Sequence, residues 1–105
     1  MKHLKTFETL NQNEPQIGDY VICQELNAIE EINLFLGNNI GKIVFVGERK
    51  MFFCVQYTNI PRNISDRFGY GSITNARNMR RDEIKYWSDN KENLETLLST
   101  NKYNL

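Results

Sequence analysis

Basic and aromatic residues crowd together between residues 67 and 87 and are the strongest candidates for a chemical role. Guanidinium and ammonium groups can neutralise phosphates, and aromatic rings can stack on bases. The same residue types also supply the anchors and the polar rim of protein–protein interfaces. We therefore predict a partner-binding surface made of Arg67, Phe68, Tyr70, Arg77, Arg80, Arg81, Lys85 and Trp87.

Two kinds of partner fit such a surface, and the overall charge favours one of them. Lysine and arginine together number 13, as do aspartate and glutamate, so no net field draws the molecule to a polyanion. Basic residues nonetheless outnumber acidic ones nine to four between residues 41 and 86. We predict a protein partner, with nucleic acid as the alternative. In a third interpretation, Phe68 and Trp87 fill the core and the arginines form a solvated rim.

Acid–base catalysis has little support in the sequence. Glu30 and Glu31 are neighbours, as are Asp82 and Glu83, so each pair diverges on a strand and lies too far round a helix to share a proton. The single histidine, His3, is far from every predicted core element. We therefore predict a non-enzymatic protein that uses no cofactor and no small-molecule substrate.

The two cysteines, Cys23 and Cys54, lie within apolar strand patterns. Neither is next to a histidine or a helix start that would stabilise a thiolate, so neither is a candidate nucleophile. A structural zinc site takes about four nitrogen or sulfur ligands, more than these thiols and His3 supply. We predict two buried free thiols and no metal site.

A β-hairpin is the element around which the rest of the chain is predicted to fold. Residues 42–46 and 51–57 are rich in Val, Ile, Phe and Tyr, which suit a pleated and partly buried surface. Residues 47–50 are the polar connector between these two runs. An earlier strand is predicted over residues 20–24, and Pro61, which has no amide proton to donate to a sheet, ends the hairpin.

The last two strands are predicted over residues 73–79 and 83–87, after a loop rich in glycine and aromatic residues at 66–72. Alternation along the final strand places Ile84 and Tyr86 on one face and Lys85 and Trp87 on the other.

Two helices are predicted to pack against these strands. The first covers residues 27–37, with Asn27 as N-cap, Glu30 completing a capping box and Gly37 at the C-terminus. Its apolar stripe consists of Ile29, Ile32, Phe35 and Leu36. The second helix lies at the C-terminus, with its cap at Ser88 and Asp89 and an apolar face of Leu94, Leu97 and Leu98.

Two short motifs carry a family resemblance. Gly-Asp-Tyr-Val at residues 18–21 and Gly-Lys-Ile-Val-Phe-Val at residues 41–46 resemble the strand starts of SH3-like barrels of the KOW and Tudor type. The resemblance implies a mainly β fold: a five-stranded SH3-like barrel with a helix between strands 1 and 2 and a C-terminal helix. The resemblance covers roughly residues 17–87. The length of the chain predicts a single domain, which we place at residues 17–105 with the C-terminal helix included, preceded by an extension at 1–16. The resemblance also implies binding rather than catalysis, in an adaptor role.

The location and source are predicted from composition. No apolar stretch is long enough to span a bilayer, and the first residues lack the apolar run of a secretory signal. We therefore expect a cytoplasmic protein without a membrane partner. The wealth of Asn, Lys and Ile resembles proteins from AT-rich genomes, such as those of many phages and large viruses. An accessory or virion-associated protein of a phage or virus fits this composition.

Overall fold

The computed structural model describes residues 14–25, 27–70 and 72–103, and the side chains of Tyr70 and of residues 101–103 lie outside that description. Most of the predicted extension at 1–16 therefore lies outside the described residues. The described strands are β1 (Tyr20–Cys23), β2 (Gly41–Val46), β3 (Phe53–Gln56), β4 (Gly69–Tyr70), β5 (Ile73–Thr74), β6 (Ala76–Met79) and β7 (Ile84–Ser88). The helices are α1 (Glu30–Asn38), α2 (Arg62–Ser65) and α3 (Lys91–Tyr103).

A five-stranded antiparallel sheet with the order β6-β3-β2-β1-β7 forms the body of the molecule, and β4 and β5 pair separately. The predicted mainly β class is confirmed, with α1 between the first two strands and α3 after the last. The predicted loop at 66–72 includes β4, and the predicted strand at 73–79 is divided at Asn75, which has a φ of 58°. None of the helices in the described ranges is both long and apolar enough to cross a membrane.

Two bulges change which face of the sheet a side chain occupies. In β2 the register against β3 shifts between Ile43 and Phe45, and β1 and β7 shift register between Ile22 and Cys23. A bulge inserts one unpaired residue and so reverses the alternation beyond it. The predicted shared face for Ile84 and Tyr86 is therefore wrong.

The two faces of β7 show the result of the bulge between β1 and β7. Ile84 packs with Trp87 in the main core, whereas Tyr86 packs with Ile22 and Leu94 in a second cluster under α3.

The main core lies between the inner face of the sheet and α1. Ile32, Phe35 and Leu36 project from α1 into it and are buried, as predicted. The rings of Phe35, Tyr57 and Phe68 meet edge to face, with centroids 5.5, 5.7 and 5.8 Å apart. Such contacts add about 0.5–1.5 kcal/mol per pair beyond the area they bury. This aromatic trio attaches α1 and the segment before β4 to the sheet.

The predicted cap at Asn27 is wrong, and a tertiary contact joins α1 to the preceding strand. The helix begins at Glu30, after Ile29, which supplies no side-chain cap. Within the helix, Asn33 binds the backbone of Glu25 twice: Oδ1 accepts from the amide at 2.9 Å, and Nδ2 donates to the carbonyl at 2.5 Å. This pair of bonds joins α1 to the end of β1.

The C-terminal helix covers the outer face of β1 and β7. Leu94 is fully buried there, and Leu97 and Leu98 pack beside it as predicted. The amide of Glu92 donates to Asn90 Oδ1 at 2.9 Å, so Asn90 caps the helix. Ser88 Oγ supports this turn by accepting from Asn93 Nδ2 at 3.0 Å.

Candidate functional site

Two of the three aromatic residues of the predicted surface are buried. Phe68 is only 7% exposed and Trp87 only 5%, so the predicted aromatic face is corrected to two core residues. Phe68 completes the aromatic trio under α1. The β7 bulge sends Trp87 to the inside, where the Arg81 guanidinium stacks over its ring at 4.3 Å from the centroid. The side chain of Tyr70 lies outside the described residues.

Arg77 acts as a structural tie between three segments. Its guanidinium binds both carboxylate oxygens of Glu25, through Nε to Oε2 and through Nη2 to Oε1 at 3.0 Å. Its Nη1 donates to the carbonyl of Arg67 at 2.9 Å, and it lies 5.8 Å from the Phe68 ring centroid. The Glu25 and Arg77 side chains are only 12% and 24% exposed. Arg77 thus connects β6 to the end of β1 and to the segment before β4.

The remaining basic residues of the predicted surface are divided between paired and exposed positions. Arg81 Nε binds Glu14 Oε1 at 3.0 Å, and Arg80 Nη2 lies 3.3 Å from Asp82 Oδ2. Lys85 Nζ donates to the carbonyl of Asp82 at 3.3 Å, and Arg67 is exposed. Arg67, Arg80 and Lys85 therefore lie at the surface. Arg77 and Arg81 instead bind the carboxylates of Glu25 and Glu14.

A different group of exposed apolar side chains surrounds the turn between β2 and β3. Phe45 is 42% exposed and Met51 is 71% exposed. The Phe45 ring lies 6.1 Å from the ring of Phe52, which is half-buried. Because Phe52 and Phe53 are consecutive and Phe53 is in the core, the sequence already carried a signal that one aromatic ring must lie outside. We call Phe45, Arg49, Lys50, Met51 and Phe52 the hairpin surface.

The turn that presents the hairpin surface is tightly hydrogen-bonded. The amide of Gly47 donates to the carbonyl of Phe52 at 2.9 Å, and that of Lys50 donates to the carbonyl of Gly47 at 3.0 Å. A Cβ atom at Gly47 would lie 2.2 Å from the Phe52 ring, so only glycine fits without moving it. Arg49 and Lys50 adopt left-handed backbone angles, with φ of 56° and 57°.

The charges at the hairpin surface are not balanced locally. Within the part of the chain that the structure describes, neither Arg49 nor Lys50 forms an ion pair. Lys42, on the same hairpin, lies 5.6 Å from the ring centroid of Tyr20. The strands β2, β3 and β6 contain no aspartate or glutamate, and Glu48 is the nearest acid in sequence. A basic and apolar surface therefore faces solvent at this end of the sheet.

The buried thiols do not resemble nucleophiles. Burial raises the pKa of Cys23 to about 12 and outweighs the opposite influence of the nearby Tyr57 hydroxyl. Burial also raises the pKa of Cys54.

The Tyr57 hydroxyl is buried and has no hydrogen-bond partner of ordinary geometry among the described residues. Its pKa is raised well above the usual range, chiefly by burial.

No group of histidine, cysteine and carboxylate side chains in the described ranges is arranged to hold a metal ion. Comparison of the chain with protein-family models, with curated proteins and with solved structures gave no match.

Proposed function

We propose that this chain is a small non-enzymatic protein-binding module, an adaptor that contacts its partner through the hairpin surface. The observation that carries the proposal is the exposure of Phe45 and Met51 beside a hydrogen-bonded turn. Large apolar side chains grouped at the surface are typical of interaction sites, whereas isolated ones are common everywhere. Phe45 and Met51 would supply the apolar centre of the interface, and Arg49 and Lys50 its basic rim.

The scaffold of this module is proposed to be an SH3-like barrel, and the order of the strands supports that proposal. The two edge strands, β6 and β7, are consecutive along the chain. In a flat five-stranded sheet they would lie about 19 Å apart. Residues 80–83 join them, and Arg81–Glu83 form a 3₁₀ turn. Such a connection reaches only about 14 Å, so the sheet has to curl.

The bulges support the same barrel. They lie in β2 and between β1 and β7, in the middle and at one side of the sheet. Bulges increase the local twist and bend the strand that contains them. Two of them in short strands favour the curvature that a barrel requires.

The burial of two predicted stacking residues favours a protein partner over nucleic acid. Phe68 and Trp87 are buried and cannot stack on bases. Arg77 and Arg81 are paired with Glu25 and Glu14, and these carboxylates reduce their attraction for phosphates. The raised pKa values of both cysteines likewise support a role without covalent catalysis. The cytoplasmic location and the phage or viral source stay predictions from composition.

Affinity capture tests the proposed function. The immobilised chain is exposed to a lysate of its source cells, with and without nuclease, and compared with Phe45→Ser/Met51→Ser. We expect retained proteins that survive nuclease and are lost with the double variant, because two anchors have been removed. Leu34→Ser is the matched control, since Leu34 is an exposed apolar residue on α1. Retention that disappears with nuclease, or that the double variant does not affect, would contradict the proposal.

A further inference from the structure

We infer that the partner of the hairpin surface is an acidic peptide segment that carries an aromatic or aliphatic anchor. This inference rests on the proposed function and names the chemistry of the partner. Three properties of the hairpin surface carry it: its unbalanced positive charge, the backbone conformation of its basic residues and the apolar side chains on either side of them in the chain.

The charge of the hairpin favours an acidic partner. Residues 41–56 contain Lys42, Arg49 and Lys50 but only one acid, Glu48. The arginines elsewhere that form ion pairs have carboxylates within the chain, whereas Arg49 and Lys50 have none among the described residues. Complementary charge speeds encounter and excludes partners of the wrong sign. A peptide with carboxylates would supply the counterions that the described part of this chain does not.

The backbone of the turn places its two basic residues in a conformation that costs free energy. Four non-glycine residues in the described ranges have positive φ: Arg49, Lys50, Asn59 and Asn75. Asparagine tolerates this conformation, and turns that need it twice in succession usually carry Asn-Gly or Asp-Gly. A long basic side chain has no such conformational advantage. Strained residues of this kind cluster at binding sites, where they present a fixed geometry to a ligand.

The apolar side chains of the hairpin surface are the reason for expecting an aromatic or aliphatic anchor on the peptide. Phe45 and Phe52 place two rings 6.1 Å apart, and Met51 is the most exposed of the large apolar residues described. Methionine is flexible and polarisable and fits side chains of varied shape. The basic residues sit between Phe45 and Met51 in the chain, so one short segment could place its carboxylates on the arginine and lysine and its anchor on the rings.

Panning a library of short random peptides on the full chain tests this inference. We expect enriched sequences with net negative charge and at least one aromatic or aliphatic residue. Their binding should weaken with added salt and fall about tenfold with Arg49→Gln/Lys50→Gln, because two complementary charges are lost. Arg67→Gln/Lys85→Gln is the matched control, with two exposed basic residues removed elsewhere, and should bind as the wild type does.

The other outcomes separate this inference from the proposed function. Enrichment of neutral or basic peptides that still depend on Phe45 and Met51 would overturn the acidic partner and leave the protein-binding module standing. If acidic peptides lose their binding only with Arg67→Gln/Lys85→Gln, the binding site does not lie at the hairpin surface. Displacement of the peptides by oligothymidylate at lower concentration than by free peptide would assign the surface to nucleic acid. A library with no enriched sequence would count against both proposals.

Discussion

Replacing the two basic turn residues by Arg49→Asn/Lys50→Gly is expected to stabilise the fold while it weakens partner binding. Both positions have φ near 57°, in the left-handed region. This region is unfavourable for most L-residues, tolerated by asparagine and free of strain for glycine. The other two non-glycine residues with positive φ in the described ranges are asparagines, at positions 59 and 75. A gain in stability together with a loss of binding would identify the basic pair as functional.

The size of the effect follows from the two backbone conformations. A left-handed angle costs about 1–2 kcal/mol for an ordinary L-residue. Lys50→Gly removes that cost but loses about 0.5–1 kcal/mol because glycine gives up more freedom on folding. Arg49→Asn recovers part of the cost at its own position. The net increase in the free energy of unfolding is about 1 kcal/mol, or about 4–8 °C in melting temperature for a domain of this size.

Urea unfolding followed by tryptophan fluorescence measures this change, because the one tryptophan, Trp87, is buried in the core. Asn75→Arg is the inverse control, since it places a long basic residue at a φ of 58° and should lower the free energy of unfolding by about 1 kcal/mol. A less stable turn variant would refute the reasoning, because it would show that Arg49 and Lys50 stabilise the turn they occupy.

Three further predictions concern the core and its ion pair. Tyr57→Phe should raise the free energy of unfolding by about 1 kcal/mol, because it removes a buried hydroxyl without an ordinary partner. A loss of stability in urea unfolding would show that the hydroxyl is bonded. The pKa of Cys23 rises from 9.0 to about 12 on folding, so the native state holds a proton that the unfolded state releases. Stability should therefore fall between these pH values, by about 1.4 kcal/mol per pH unit, and less steeply for Cys23→Ala. Equal slopes would contradict this. Glu25→Gln should lower the free energy of unfolding by about 2 kcal/mol, because Arg77 keeps its charge in a largely buried site. Adding Arg77→Met should recover part of that loss, and a double-mutant cycle without recovery would argue against the pair.

The hydrophobic pattern was sufficient to predict the body of the sheet. The runs at 20–24, 42–46 and 51–57 correspond to β1, β2 and β3 with small differences at their ends. Of the predicted apolar residues of α1 and α3, Ile32, Phe35, Leu36 and Leu94 are buried, and Leu97 and Leu98 are half-buried. Ile29 is exposed just before α1 begins. Each of these elements forms because one of its faces is buried. The spacing of apolar and polar residues in the sequence shows which face that is.

The bulges and the tertiary contacts could not be predicted in the same way. One extra residue in β7 sends Trp87 into the core, and alternation counted along the strand has no means of detecting it. Asn33 holds α1 to Glu25, and no local rule connects these two residues. The capping signal at Asn27 did not set the helix start, since α1 begins at Glu30. Local propensity is a weak influence when packing opposes it.

The candidate site in the structure differs from the surface predicted at residues 67–87, because several residues of that predicted surface have structural roles. Arg77 and Trp87 have the composition of a binding surface, yet one ties three segments together and the other packs in the core. The sequence pattern identifies residues 47–50 only as a connector. Their neighbours Phe45 and Met51 became visible as a surface once the β2 bulge and the strand ends were known.

An NMR titration of the labelled chain with a selected acidic peptide is the most direct test of the central claim, because backbone amide shifts locate a bound ligand residue by residue. We predict shift changes concentrated at residues 42–52, weaker in high salt and needing about tenfold more peptide in the Arg49→Gln/Lys50→Gln variant. Shift changes centred on residues 67–87 instead, or spread evenly over the sheet, would contradict the assignment of the hairpin surface as the binding site.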